Sequence, residues 1–163
     1  MHTFQQHLPF LPPSTTHAEQ KLIPSTDHGS QIAQTRAAAA AILFVDDDTA
    51  VLEAYSLLLE ELGYAVHTAN SGEEALDFLE THAVDAVVVD YLMPGMDGEE
   101  SARRIRSLRF GIRIILFSGS LPLPNSGLEV FDACVDKGLG AEALVETLEC
   151  LLHPEAAQSG QIR

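Results

Sequence analysis

The sequence predicts an α/β protein, a three-layer sandwich built around a five-stranded parallel sheet. Short apolar runs alternate with segments of helical apolar spacing from residue 41 to residue 152, which is typical of parallel strands joined by crossover helices. The run Val87–Val89 has no polar alternation, as in a strand covered on both faces. Polar residues follow four of the five apolar runs, as expected at the carboxyl edge of such a sheet, where ligands bind.

The first predicted unit is a strand followed by a helix. The apolar run Ile42–Val45 predicts strand one, and Asp48 is positioned to cap the helix after it. Helix one has apolar residues at helical spacing, and Gly63 is expected to end it. The residues predicted on its apolar face are Val51, Tyr55, Leu58 and Leu62.

Two further strand–helix units follow, and a capping-box pattern starts the helix of each. In these patterns a Ser or Asp is followed three residues later by Glu, at Ser71 and Glu74 and again at Asp97 and Glu100. The predicted spans are Tyr64–Thr68 for strand two, Gly72–Thr81 for helix two, Asp85–Asp90 for strand three and 97–108 for helix three.

The last part of the domain predicts two strands and one regular helix. The predicted spans are Ile112–Phe117 for strand four, Ala133–Asp136 for strand five and Gly140–Leu152 for the final helix. Between the two strands, LPLPNSGLEVF has two prolines and little helical pattern, so helix four is predicted to be short, degenerate, displaced or partly unwound. The strand order expected for five such units is the flavodoxin-like 2-1-3-4-5.

Composition separates an acidic domain from its two tails. Residues 1–37, rich in Pro, Ser, Thr, Gln and His, are predicted to form a flexible tail, residues 38–155 the domain and residues 156–163 a C-terminal tail. From residue 41 to residue 155 there are 22 acidic and 6 basic residues, a balance that argues against nucleic-acid binding.

No membrane span or signal peptide is predicted, so the expected location is cytoplasmic. Cys134 and Cys150 are expected to be unpaired, buried or half-buried thiols.

Polar side chains are predicted to meet where the strands end. Asp46 and Asp47 follow strand one, Asp90 follows strand three, and Ser118 and Lys137 end strands four and five. Crowded carboxylates take up a proton or bind a cation, and oxygen ligands favour Mg²⁺. Asp90 can act as the nucleophile in phosphoryl transfer, with Lys137 as a second positive charge and Ser118 as a hydrogen-bond donor.

Four segments, FVDDDTAVLEAY, VVVDYLMPGMDG, ILFSGS and CVDKG, resemble the receiver domain of two-component response regulators. The resemblance covers about residues 41–152 and implies that Asp90 accepts a phosphoryl group from a histidine kinase or histidine phosphotransfer protein. The Mg²⁺ ligands that it implies are Asp46, Asp47, Asp90 and the backbone carbonyl of Leu92. Ser118 would be the switch hydroxyl and Lys137 the phosphate-pairing lysine. The chain would then be a signalling switch, with no enzymatic activity beyond its own phosphorylation and dephosphorylation.

Two residues depart from the family pattern. Gly138 stands where a proline usually follows the lysine, and Cys134 stands where an aromatic residue is common. A cis bond without proline costs about 3 kcal/mol, so a trans Lys137–Gly138 bond is predicted. Because few residues follow Leu152, the receiver is expected to stand alone and to act by binding an unidentified downstream protein, with a homodimer left open.

Other functions and partners remain open at this point. One alternative is a pseudo-receiver, an interaction module that never takes phosphate. Another is a phosphatase of the haloacid-dehalogenase type with Asp46 as its nucleophile, although Ala50 breaks the motif that such an enzyme needs. Five of the domain's six basic residues could form a solvated basic face or meet an acidic partner: Arg103, Arg104, Arg106, Arg109 and Arg113.

Overall fold

Five parallel strands form a single sheet in the computed structural model, which describes residues 39–119 and 127–154. The strands are β1 (Ala41–Val45), β2 (Ala65–Ala69), β3 (Ala86–Val89), β4 (Arg113–Ser118) and β5 (Ala133–Asp136). The helices are α1 (Thr49–Glu61), α2 (Gly72–Thr81), α3 (Gly98–Leu108) and α4 (Ala141–Leu152). The strand order is β2-β1-β3-β4-β5, which confirms the predicted topology.

The connection between β4 and β5 is the irregular part of the fold. In residues 127–132 it contains a 3₁₀ turn, Leu128–Val130, and no α-helix, while residues 120–126 lie outside the described residues. The prediction of a short or degenerate helix four is therefore confirmed for the part that the structure describes, and the fifth predicted helix is α4. A second 3₁₀ turn, Lys137–Leu139, follows β5 directly.

The two faces of the sheet carry separate apolar layers. One layer joins the sheet to α2 and α3, and the other joins it to α1 and α4. The predicted face of α1 is only partly correct, because its fully packed residues are Leu52 and Leu59, whereas Leu62 is 53% exposed at the C-cap. The predicted burial of Cys134 and Cys150 is also wrong, since both are exposed, although both are free as expected.

Capping side chains start three of the helices as predicted. Asp48, Ser71 and Asp97 accept backbone N–H groups from the first turn of α1, α2 and α3, at 2.9, 3.2 and 2.8 Å. In a capping box the Glu side chain is expected to accept the N–H of the N-cap residue, but both Glu side chains make other contacts here. Glu74 accepts the N–H of Asn70, which precedes the N-cap, and Glu100 forms an ion pair with Arg104.

Gly63 ends α1 in the way that the sequence predicts. Its φ of 95° lies in the left-handed region that glycine adopts without a steric cost. The Gly63 N–H donates to the Glu60 carbonyl at 2.9 Å, and the Tyr64 N–H donates to the Leu59 carbonyl at 3.1 Å. These two bonds form a Schellman motif, which satisfies carbonyls that the helix end leaves open.

Three arginines at the C-terminal part of α3 and beyond serve the fold. Arg106 donates to the carbonyls of Ile112 and Val130 and forms an ion pair with Asp132. Arg109 donates from two nitrogens to the Leu79 carbonyl, at 3.1 and 2.8 Å. The idea of a basic face that is entirely solvated is therefore wrong for these side chains, which hold neighbouring elements in place. The third, Arg113, also lies within 3.4 Å of the Asp132 carboxylate.

The Asp132 carboxylate should make the stability of the fold sensitive to acid. Its burial alone would raise its pKa, but hydrogen bonds from the Ile114 N–H and Arg106 outweigh burial and lower the pKa below the usual value. A carboxyl whose pKa is lowered by folding stabilises the protein above its unfolded pKa, and this contribution is lost as the pH falls through the folded pKa. The difference in unfolding free energy between wild type and Asp132→Asn, measured by urea titration, should therefore shrink between about pH 5 and pH 2. A difference that stays constant over that range would contradict this assignment.

The predicted tails, residues 1–37 and 156–163, lie outside the described residues, and so do the exact domain limits. Within the described residues, none of the helices combines the length and apolar character that crossing a membrane requires.

Candidate functional site

Two carboxylates leave neighbouring strands side by side. β1 and β3 pair with Val45 opposite Val89, so the next residues, Asp46 and Asp90, emerge at the same edge. The Asp90 N–H donates to the Val45 carbonyl at 2.9 Å, and the Asp46 N–H donates to the Ala69 carbonyl at 3.2 Å. Both aspartates are buried, at 1% and 9% exposure. The sheet thus fixes the backbone positions of Asp46 and Asp90 before any ligand binds.

The Lys137 ammonium reaches these carboxylates from β5. Its Nζ lies 2.6 Å from Asp46 Oδ2 and 3.3 Å from Asp90 Oδ1. The other Asp46 oxygen accepts the Asp48 N–H at 2.9 Å, so both oxygens of this carboxylate are engaged. Residues that are far apart in the sequence therefore meet at one edge of the sheet, as the topology predicts.

Asp47 completes a group of three carboxylates. One oxygen from each of Asp46, Asp47 and Asp90 can be chosen so that all three lie within 4.8 Å of one another. Asp47 is exposed, whereas the other two are buried, so the group opens to solvent on one side. Oxygen donors at this spacing, with room for water on the open side, fit a hard divalent cation such as Mg²⁺.

Electrostatics in the site also favour the addition of positive charge. Burial, the largest cause, and repulsion from Asp46 raise the pKa of Asp90, although Lys137 and the backbone N–H of Tyr91 act in the opposite direction. Burial alone would lower the pKa of Lys137, but its hydrogen bond to Asp46 and attraction to Asp90 outweigh burial and raise it. Both groups therefore hold their protons more tightly than usual, Asp90 mainly because it is buried and Lys137 because it contacts Asp46 and Asp90.

Two further predicted residues follow or end strands at the same edge of the sheet. Ser118 ends β4 and is 1% exposed, and its register partner on β5 is Asp136, the residue before Lys137. Leu92 lies two residues after Asp90 in the loop to α3, with 61% of its surface exposed. A role for its carbonyl as a metal ligand stays a prediction, as do the functional roles assigned to all the site residues.

An aromatic residue next to Lys137 was not anticipated from the sequence. The Lys137 Nζ lies 5.7 Å from the centroid of the Phe117 ring, within reach of a cation–π interaction. Phe117 packs edge-on against both Phe44 and Tyr55, so the lysine lies over a buried aromatic cluster. The sequence offered one hint, since Phe117 directly precedes the predicted hydroxyl Ser118.

Gly98 is a second residue whose importance the sequence did not reveal. A Cβ at this position would lie 2.1 Å from the Asp90 carbonyl oxygen and 2.9 Å from the Tyr91 Cα, so α3 can approach the Asp90 loop only with glycine here. The Gly98 N–H also donates to the Tyr91 carbonyl at 2.9 Å. A glycine at the first position of a predicted helix is the signal that could have indicated this close approach.

Gly138 provides a contact that proline could not make. Its N–H donates to Asp136 Oδ1 at 2.7 Å and so caps the 3₁₀ turn that begins at Lys137. Proline lacks a backbone N–H, so the departure from the family pattern replaces one local constraint with another.

Comparison with known proteins identifies the family. The model of the response regulator receiver domain family matches residues 42–149, and the chain belongs to that family. Response regulator MprA of Mycobacterium sp. (strain KMS) is 35% identical over 122 residues, which are 73% of this chain and 53% of that protein. The chain thus spans about half the length of the curated relatives it matches.

Solved structures of receiver domains have the same fold. The response regulator TrrA from Thermotoga maritima, in complex with Mg²⁺-BeF, is 33% identical, with a TM-score of 0.66 over 69% of this chain and 98% of that one. TrrA in complex with the histidine kinase ThkA is 34% identical, with a TM-score of 0.65 and the same coverage of 69% and 98%.

Proposed function

We propose that this chain is the phosphoacceptor switch of a two-component phosphorelay, with Asp90 as the residue that is phosphorylated. The observation that carries this proposal is the position of the Lys137 ammonium, 2.6 Å from Asp46 and 3.3 Å from Asp90, beside a third carboxylate at the same sheet edge. The donor would be a phosphohistidine of a histidine kinase or histidine phosphotransfer protein. The complex of the related TrrA with a histidine kinase supports this class of partner.

In the proposed reaction a carboxylate oxygen of Asp90 attacks the phosphorus of the phosphohistidine. The new O–P bond makes an acyl phosphate, and the P–N bond breaks with its electron pair left on the imidazole nitrogen. Lys137 balances negative charge on the transferred group, and the Ser118 hydroxyl donates to one of its oxygens. Mg²⁺, held by Asp46, Asp47 and Asp90 with the Leu92 carbonyl, would supply further neutralisation of that charge.

Catalysis would be limited to the chain's own phosphorylation and to hydrolysis of its acyl phosphate. Output would follow from binding to a downstream protein, since phosphate at Asp90 draws the Ser118 loop inward and changes the surface. The exposed free thiols Cys134 and Cys150 suit the reducing cytoplasm in which we place the chain.

Intact-protein mass spectrometry after incubation with acetyl phosphate and Mg²⁺ tests the proposal. Wild type should gain the mass of one phosphoryl group, and Asp90→Asn should gain none, because the amide is not a nucleophile of this kind. Asp77→Asn is the matched control, since Asp77 is exposed on α2 and should leave labelling unchanged. Unlabelled wild type, under conditions that label ordinary receivers, would instead support a phosphorylation-independent interaction module. Labelling that survives in Asp90→Asn but is lost in Asp46→Asn would support the aspartate-phosphatase alternative.

A further inference from the structure

Lys137 reaches the carboxylates from a short strand at the edge of the sheet. β5 has four residues, and in the part of the chain that the structure describes it pairs with β4 alone. The described residues before it contain a 3₁₀ turn instead of a crossover helix packed along its length. The register of this short edge strand decides where Lys137 lies, because a shift of one residue would move the strand by about 3.3 Å. That shift is as long as the contacts that Lys137 makes in the site.

Asp132, the residue before β5, is held by four separate contacts. Its N–H donates to the Ile114 carbonyl at 2.8 Å, and its Oδ2 accepts the Ile114 N–H, also at 2.8 Å. The Arg106 guanidinium pairs with the same oxygen, and Arg113 lies 3.4 Å from Oδ1. The start of β5 is therefore fixed to β4 by the backbone and to α3 by a charged side chain.

Arg106 supports this connection at three points. Its Nη1 donates to the Ile112 carbonyl just before β4, at 2.6 Å, and its Nε donates to the Val130 carbonyl at the end of the 3₁₀ turn, at 3.2 Å. The third contact is the ion pair with Asp132. One guanidinium thus links the beginnings of β4 and β5, a task for which its rigid planar group of donors is suited.

We propose that Arg106 is a positioning residue for Lys137. It acts from the amino ends of β4 and β5, whereas Lys137 lies at their carboxyl ends. By fixing Asp132 it sets the register of β5 on β4, in which Asp136 lies opposite Ser118 and Lys137 follows directly. The turn closed by Gly138 and Asp136 then fixes the far end of the strand. The role in phosphorylation rests on the proposed function, whereas the role in placing the lysine does not.

Selective labelling of lysine can test the placement directly, because Lys21 and Lys137 are the only lysines of the chain. The Lys137 Nζ lies 5.7 Å from the centroid of the Phe117 ring, so its terminal methylene resonances should carry a ring-current shift that free lysine lacks. In Arg106→Gln and in Asp132→Asn this shift should decrease toward the value of free lysine. Arg104→Gln is the matched control, because Arg104 lies on the same helix and, among the described residues, forms its ion pair with Glu100 on the surface.

A second measurement separates positioning from a general loss of structure. Arg106→Gln should lower the initial rate of phosphorylation by acetyl phosphate by about 10- to 100-fold, because a misplacement of about 1 Å in a reacting site can cost up to about 100-fold in rate. Its Mg²⁺ affinity, measured by calorimetry, should not weaken, because β1, β2 and β3 hold the backbones of Asp46 and Asp90, and Lys137 adds only side-chain contacts to them. Arg106→Lys keeps the charge but not the planar group, and it should recover part of the rate and part of the lysine shift.

Each outcome decides the inference. Unchanged Lys137 resonances in Arg106→Gln would overturn it. A parallel loss of Mg²⁺ affinity and rate would also overturn it, because that result indicates a general loss of structure at the site. If Arg106→Gln does not fold, the milder Arg106→Lys and Asp132→Asn variants carry the same two measurements. If wild type itself takes no phosphate, the proposed function fails, yet the lysine resonances still decide whether Arg106 places Lys137.

Discussion

Replacing Asp46 with asparagine is expected to slow phosphorylation of Asp90 roughly 100-fold or more, because the change removes two contributions at once. The Lys137 ammonium loses its shortest contact, the one at 2.6 Å, and is drawn towards Asp90, where it would shield the nucleophile. The carboxylate group also loses one of the three charges that can hold Mg²⁺.

Asp47→Asn provides a comparison at the adjacent position. Asp47 is exposed and belongs to the same group of carboxylates, but the contacts of Lys137 are to Asp46 and Asp90. We therefore expect Asp47→Asn to weaken Mg²⁺ binding while leaving the lysine in place, so that raising the Mg²⁺ concentration recovers its rate. Excess Mg²⁺ should not recover the rate of Asp46→Asn. Phosphorylation rates measured over a series of Mg²⁺ concentrations decide this, and equal recovery of both variants would show that Asp46 acts through the metal alone.

The site was predictable because its residues are fixed by topology. Once β1, β3 and β5 are recognised as parallel strands of one sheet, their carboxyl ends must share an edge, and the residues after them must lie together. Asp46, Asp90 and Lys137 meet there as predicted. Strand limits differed from the prediction by about one residue, as for β2 and β4, without consequence for the site.

Contacts made by long side chains could not be predicted in the same way. Arg106 binds carbonyls and a carboxylate from 6 to 26 positions away, and Arg109 binds a carbonyl 30 positions away. Sequence spacing contains no information about such partners, because a guanidinium can reach any carbonyl that the fold brings close. The face of α1 was misjudged for a related reason: the end of a helix can leave the layer that the rest of it packs on, as Leu62 does.

The aromatic cluster below the site should be the most costly part of the core to remove. Phe44 is fully buried in β1, stacks on Tyr55 with ring centroids 5.5 Å apart and meets Phe117 edge-on at 6.0 Å. Replacing it with alanine removes this packing and leaves a cavity beneath two strands whose ends carry site residues. Such a change should lower the free energy of unfolding by about 3–5 kcal/mol, a large part of the stability of a small domain.

Phe110→Ala is the matched control for this change, since it removes the same atoms from a fully exposed ring in the loop between α3 and β4. Surface substitutions of this kind usually change stability by no more than about 0.5 kcal/mol. Urea titrations of both variants should therefore give sharply different midpoints at similar slopes. Because Phe117 links Phe44 to Lys137, the Phe44→Ala variant should also lose part of the ring-current shift at the lysine while it is still folded. Equal midpoints for the two variants would contradict this prediction and would mean that the core repacks around the missing ring.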